Sequence, residues 1–228
     1  MSPQLAPYKR EFIEFMVGAG VLTFGDFVTK SGRKTPYFIN TGRYRTGAQM
    51  RALGRYYADA IVARLGANFD VLYGPAYKGI PLAVATAIEL AGRGAREIPF
   101  CFNRKEAKDH GEGGTIIGHT PRDGERVLII EDVTTAGTSV RESVAILGAA
   151  ARVQFAGLVV SVDRMERGTG DATALEELST TYAMPTFAIV NIDEIMSDLR
   201  GRRIDGRVVI DDAAYARLVA YRAEYGPR

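Results

Sequence analysis

The sequence predicts an α/β protein: an open, mainly parallel twisted sheet flanked by helices, preceded by a separate N-terminal region. Two observations carry this. From residue 70 onward, short runs rich in β-branched residues alternate with helical stretches, the rhythm of parallel strands joined by crossover helices. The first 45 residues lack that rhythm and read as one helix followed by a hairpin. Taken in order, an amphipathic helix spans Tyr8 to Val17 and is stopped by Gly18 and Gly20. The hairpin arms are Phe27-Val-Thr-Lys30 and Tyr37-Phe-Ile-Asn40, turning through Ser31-Gly-Arg-Lys-Thr-Pro36. A helix at 47–65 follows, because Met50, Leu53, Tyr57, Ile61 and Leu65 share one face. Strands are expected at 70–73, 98–102, 126–130, 155–162 and 186–190, with helices at 79–92, 138–150 and 172–183 between them. The final helix, 211–225, takes Asp211 or Asp212 as N-cap and packs through Tyr215, Leu218 and Val219. These elements are expected to form one domain over 1–228, made of the region 1–45, a core over 46–200 and a C-terminal extension over 201–228.

Composition narrows the function. The 228 residues are 46% hydrophobic, enough for a proper core, and 29 basic residues nearly balance 27 acidic ones. A net charge of +2 is too small for a binder of nucleic acid that neutralises many phosphates; a small anion held by a few placed cations fits better. The one cysteine, Cys101, allows no intrachain disulfide, and the first residues lack the apolar segment of a secretory signal. No apolar run approaches a membrane span. A cytoplasmic, soluble protein is expected, with no membrane or nucleic-acid partner.

Three segments carry chemistry. Val127-Leu-Ile-Ile-Glu-Asp-Val-Thr-Thr-Ala-Gly-Thr-Ser139 is an apolar strand running into two carboxylates and then a small-residue turn that opens a helix. Backbone N–H groups at such a helix start, aided by the helix dipole and threonine hydroxyls, form an anion site for a phosphate monoester. Carboxylates are wrong for that phosphate. They suit a vicinal diol beside it, or a hydrated magnesium ion bridging the substrate, so a ribose 5-phosphate is the common ligand. Gly74-Pro-Ala-Tyr-Lys-Gly-Ile-Pro81, between a strand and a helix at the same sheet edge, offers backbone donors and the Lys78 ammonium to a pyrophosphate; the plain alternative is a turn with a solvated lysine. Asn103-Arg-Lys-Glu-Ala-Lys-Asp-His-Gly-Glu-Gly-Gly-Thr115 sets Arg104, Lys105, Lys108 and His110 beside three glycines, the make-up of a closing lid or of an ordinary solvated loop.

The 127–139 segment resembles the phosphoribosyl pyrophosphate signature of the type I phosphoribosyltransferases, with Glu131 where that signature often has aspartate. The resemblance implies that Glu131 and Asp132 hold the ribose hydroxyls while Val133, Thr134, Thr135, Ala136, Gly137, Thr138 and Ser139 cradle the 5-phosphate. It implies that Tyr77 and Lys78 contact the leaving pyrophosphate, with a strained or cis peptide near Ala76-Tyr77. The 103–115 block is similar to the catalytic loop of the orotate enzymes of that family. By this likeness Lys108 closes over the substrate, and Arg104, Lys105 and His110 contact pyrophosphate. The stretch Lys30 to Ile39 resembles their N-terminal hood, bringing Lys30 to the ligands and Phe38 and Ile39 to the pyrimidine edge. Asp163-Arg-Met-Glu-Arg-Gly168, otherwise readable as a surface ion-pair cluster, assigns Arg164 to orotate by the same resemblance, with Thr135 also near the base. The likeness runs from about residue 8 to 225 and implies a magnesium-dependent transfer between phosphoribosyl pyrophosphate and orotate, catalysed by Lys108, Glu131 and Asp132. Magnesium would be held mainly by substrate and water, and a homodimer would share the catalytic loop between subunits. A purine-type phosphoribosyltransferase would keep the 131–139 turn but lack the Lys30 hairpin and this 103–115 block. A regulatory protein sensing the sugar donor would need a basic run that is absent.

Overall fold

A strand buried on both faces has no reason to alternate polar and apolar residues, and Val127-Leu-Ile-Ile130 does not. In the structure, a computed structural model describing residues 5–29, 32–94, 97–105, 115–134, 137–168 and 170–227, this run lies inside a six-stranded sheet. The strands of that sheet are β3 (Val71–Tyr73), β4 (Phe100–Asn103), β5 (Ile116–Gly118), β6 (Arg126–Glu131), β7 (Gln154–Asp163) and β8 (Thr186–Asn191). Their order is β5-β4-β3-β6-β7-β8; all neighbours pair in parallel except β5, an antiparallel edge. Successive β6 residues feed two cores. Leu128 and Ile130 pack on one face among Phe12, Tyr57 and Ile195, while Val127 and Ile129 pack on the other among Val140, Leu147 and Leu178.

The helices follow from the sequence pattern. Helices α2 (Gly47–Leu65), α3 (Gly79–Gly92) and α4 (Thr138–Ala150) have the expected bounds, α1 covers Pro7–Gly18 and α5 covers Ala174–Tyr182. Capping boxes start α2 at Thr46 with Gln49 and α5 at Thr173 with Glu176. Before the main sheet, β1 (Leu22–Val28) and β2 (Lys34–Ile39) form the antiparallel hairpin, its first arm starting five residues earlier than the expected Phe27. Gly25, at φ 156°, and a register irregularity between Phe24 and Phe27 interrupt the alternation that would mark that arm. Sequence reading also passed over α6 (Ile192–Leu199), the short edge β5 and the two-residue pair β9 (Arg203–Ile204) and β10 (Arg207–Val208).

The last helix, α7 (Asp212–Tyr225), is capped by the Asp211 side chain, which accepts from Ala214 N. Its buried residues are Ala214, Leu218 and Tyr221, at i, i+4 and i+7. Val219 is therefore not on the packing side: it sits about 100° round the helix from Leu218 and is 46% exposed. Tyr215 is partly buried against the core.

Helices α2 and α3 approach closely at Gly54, where an added Cβ would lie 2.6 Å from the Ala85 carbonyl oxygen. Alanine in a helix interior gains about 1 kcal/mol over glycine, but overpacking against backbone costs about 1–3 kcal/mol. Gly54→Ala should therefore lose up to about 2 kcal/mol net, read as a lower urea midpoint with unchanged slope. A variant more stable than its parent would show that the two helices separate freely.

Candidate active site

The carboxyl edge of a parallel sheet gathers ligands where strand order reverses, here between β3 and β6, whose following helices leave to opposite faces. Both acids at the end of β6 lie at this point. Glu131 is buried, and its Oε2 accepts from Ser139 Oγ at 2.6 Å, at the start of α4. Its Oε1 accepts from Asp132 N at 3.1 Å. Burial raises the Glu131 carboxyl above its ordinary pKa; the Ser139 bond opposes the rise and the neighbouring Asp132 charge adds to it. Asp132 is held differently. Its Oδ1 accepts from Val133 N at 2.7 Å, and its Oδ2 accepts from Lys78 Nζ and Thr41 Oγ1, each at 2.7 Å. The backbone beneath is pinned as well: Tyr57 OH donates to Glu131 O at 2.7 Å, and Ser161 donates to Asp132 O through N at 2.8 Å and Oγ at 2.6 Å.

Beyond the acids, Thr134 Oγ1 accepts from Gly137 N at 3.1 Å, and Gly137 takes the left-handed conformation, φ 71°, that starts α4. Helices α2, α5, α6 and α7 are closed by Thr46, Thr173, Asn191 and Asp211, whereas no side chain among the described residues caps α4. The first-turn N–H groups of α4 keep their capacity for an anion, with the Thr138 and Ser139 side chains beside them.

The β3–α3 turn supplies the opposite wall. The Ala76-Tyr77 peptide is cis, Ala76 N donates to Asn103 Oδ1 at 2.9 Å, and Tyr77 is 69% exposed with Lys105 Nζ 5.4 Å from its ring centre. Arg104 N donates to Thr115 O at 2.8 Å, closing the base of the 103–115 loop. A cavity of about 180 Å³ opens between Lys78, Asp132, Thr41, Ser161 and Tyr44.

A second cluster forms past the end of β7, the strand beside β6. Arg164 is buried, its guanidinium 4.6 Å over the Tyr37 ring and donating from Nε and Nη2 to Glu166 Oε1 at 2.9 and 2.6 Å. It is therefore not a surface ion pair. Burial alone would raise the Glu166 carboxyl, but the Arg164 charge and the bonds it receives hold it below its ordinary value. Phe38 stacks on Phe27 and is 38% exposed, with Ile39 partly buried beside it.

Of the residues expected from sequence, the structure joins Lys78, Glu131, Asp132 and Ser139 in one network, sets Lys105 beside Tyr77, and places Arg164 in the second cluster. Lys30, Lys108, His110, Thr135 and Ala136 lie outside the described residues. Sequence reading missed Thr41, Tyr57, Ser161, Asn103 and Glu166. In the sequence Tyr57 is only one of several residues on the apolar face of α2, and Glu166 stands two positions from Arg164 in the same charged motif.

This architecture and this acid pair define a class. The family profile of the phosphoribosyl transferase domain matches residues 42–212, and the chain belongs to the phosphoribosyltransferase family, with the type I fold. An orotate phosphoribosyltransferase from Lachnoclostridium phytofermentans is 57% identical over 96% of this chain and 97% of its own, and one from Pseudomonas paraeruginosa is 48% identical over 96% and 98%. The crystal structure of an orotate phosphoribosyltransferase from Francisella tularensis, 36% identical, superposes with a TM-score of 0.81 over 95% of this chain and 99% of the other. Within the family, the chain falls among the orotate phosphoribosyltransferases.

The Ser139 hydroxyl stabilises the charged form of Glu131. Ser139→Ala should therefore move the Glu131 titration, followed by carboxyl carbon NMR, to higher pH than in the parent protein. A titration unmoved or shifted down would mean that the bond does not bear on the charge.

Proposed function

We propose that this chain transfers the 5-phosphoribosyl group from phosphoribosyl pyrophosphate to orotate, giving orotidine 5′-monophosphate and pyrophosphate, a step of pyrimidine nucleotide synthesis. The observation that carries the reading is the Glu131–Asp132 pair at the uncapped start of α4, facing the Lys78 ammonium. Thr134 to Ser139 receive the 5-phosphate. Glu131 and Asp132 accept from the ribose hydroxyls and face the positive charge that develops on the sugar ring as the anomeric bond breaks. Tyr77, Lys78, Arg104, Lys105, Lys108 and His110 receive the pyrophosphate. Lys30, Phe38, Ile39, Thr135 and Arg164 hold orotate, whose carboxylate suits a planar guanidinium.

The Lys78–Asp132 bond, 2.7 Å long, gives this assignment a physical order. Its two members serve different groups of one substrate, the pyrophosphate and the ribose hydroxyls, so a pyrophosphate that draws the Lys78 ammonium away also frees Asp132 for the sugar. Lys78 is 63% exposed, which keeps the exchange inexpensive.

Magnesium fits the donor set, since two adjacent carboxylates are hard oxygen ligands. Glu131 and Asp132 would hold the ion through its waters, and its chemistry would be neutralisation of the pyrophosphate oxygens.

The reading includes a homodimer sharing the 103–115 loop. Supporting it, an apolar groove of about 720 Å³ between α2 and α3 is lined by Ile80, Val84 and Ile88, the last 64% exposed. Met50 and Pro81 line both this groove and the cavity at Asp132, so a second copy seated on the groove would lie beside the site. The compartment assigned is the cytoplasm, in keeping with a sequence whose one cysteine, Cys101, is free and buried.

Incubation with the sugar donor, magnesium and a panel of orotate, uracil, adenine and hypoxanthine, following pyrophosphate release, tests the reaction: release should depend on orotate. Asp132→Asn should fold normally and lose about a hundredfold or more in turnover, since one preorganised charge is removed. Near-normal activity would sink the assignment. Mixing inactive Lys108→Ala and Asp132→Asn subunits should restore about a quarter of parental activity per subunit, because random exchange makes about half the dimers hybrids with one intact site each. Verified exchange without recovery would refute loop sharing.

A further inference from the structure

We propose that Glu166 is a positioning residue for the pyrimidine substrate, and that helix α7 takes part in base recognition through it. The inference rests on the assignment of Arg164 to the base carboxylate. Five contacts converge on this one carboxylate. Oε1 accepts from Arg164 Nε and Nη2, from Tyr37 OH at 3.1 Å and from Tyr221 OH at 2.9 Å, while Oε2 accepts from Arg33 Nη2 at 2.5 Å. The donors come from three places: Arg33 and Tyr37 from the hairpin, Arg164 from the end of β7, and Tyr221 from α7. Tyr221 also meets the Tyr37 ring edge-on, centroids 5.9 Å apart at 90°.

A guanidinium free to turn presents any of its edges; this one is not free. The Tyr37 ring, 4.6 Å beneath, fixes its plane, and Glu166 engages its Nε–Nη2 edge and so fixes its rotation within that plane. The end edge, one N–H on Nη1 and the second on Nη2, makes no hydrogen bond to any described residue and is left to meet a ligand.

A buried carboxylate bound to Arg164 would, alone, cancel the charge needed to attract an anion. Arg33 prevents that. Two guanidiniums around one carboxylate leave a net charge of +1, so Glu166 orients Arg164 without neutralising the cluster. Arg33 is itself held with its guanidinium carbon 4.9 Å from the Tyr225 ring centre and 5.8 Å from that of Tyr221, which ties the balancing charge to α7 as well. A carboxylate received by a fork depends on orientation, and a displacement of about 1 Å is enough to lose much of the interaction.

The test separates binding of the two substrates. Glu166→Gln keeps the shape and removes the charge that holds Arg164; its KM for orotate should rise about tenfold or more, while its KM for phosphoribosyl pyrophosphate stays within about twofold. Tyr221→Phe removes one hydroxyl from a residue of α7 and should raise the orotate KM by roughly threefold, again leaving the sugar donor unaffected. Both variants should also lower the preference for orotate over uracil, which lacks the carboxylate. Arg164→Ala is the companion measurement. If it leaves orotate unaffected, the base assignment fails and this inference falls with it. If it weakens orotate while Glu166→Gln and Tyr221→Phe do not, or if those two raise both KM values equally, Glu166 is structural and the proposal is overturned. Should Glu166→Gln fail to fold, Tyr221→Phe alone decides between these outcomes.

Discussion

Two adjacent carboxylates at the exit of a central, doubly buried strand impose the constraint around which the structure is arranged. Each buried polar atom left without a partner costs about 1–3 kcal/mol, more when charged, so the Glu131–Asp132 pair must be served from all sides. It is. Tyr57 of α2 and Ser161 of β7 take the two backbone carbonyls, Ser139 of α4 serves the Glu131 carboxylate, and Thr41 and Lys78 serve Asp132. Five separate parts of the chain are thereby fixed relative to one point at the sheet edge. The burial that raises the Glu131 carboxyl is the cost of that arrangement, and the Ser139 bond partly offsets it.

The second cluster solves the opposite problem, an excess of positive charge in a poorly solvated place. Removing one partner from a buried ion pair is strongly destabilising because the survivor stays uncompensated. Here the compensation is distributed: two guanidiniums share one carboxylate, and the rings of Tyr37, Tyr221 and Tyr225 lie against them. The hairpin, the end of β7 and α7 are joined by this polar centre as well as by apolar packing.

The core of the fold was legible because its signals are local and repeated. Helices α2, α3 and α4 have apolar spacing, glycine boundaries and lengths that leave little choice, and the β6 run could be read as a strand from its composition. What escaped was short or irregular. Strand β5 has three residues, and α6 starts directly from Asn191, which is both the last residue of β8 and an N-cap, so no loop announces it. At the site, the acids and the α4 turn stood out because an acid pair before a threonine-rich turn has few structural excuses. Their supporters did not: Tyr57 looked like any apolar helix residue, Ser161 like a small residue inside a strand, and Thr41 like part of a turn. Hydrogen bonds across 74, 29 and 91 positions leave no pattern in neighbouring sequence, so only the folded chain reveals these partners. The depth of Arg164 was hidden likewise, since its motif looks identical whether it lies at a surface or beneath α7.

Lys78 and Asp132 are 54 positions apart and meet only because β3 lies beside β6, a pairing that skips β4 and β5. Closing so long a loop precedes any reward from the contacts it makes. A chain halted before it has two half-sites on unconnected segments and nothing that grips a phosphosugar. Ligand therefore binds the finished fold and not its precursors. At about a hundred times its dissociation constant it would deepen the native well by about 2.7 kcal/mol without helping any intermediate. In a cell, the supply of substrate would thus act on the lifetime of the native protein as well as on its turnover.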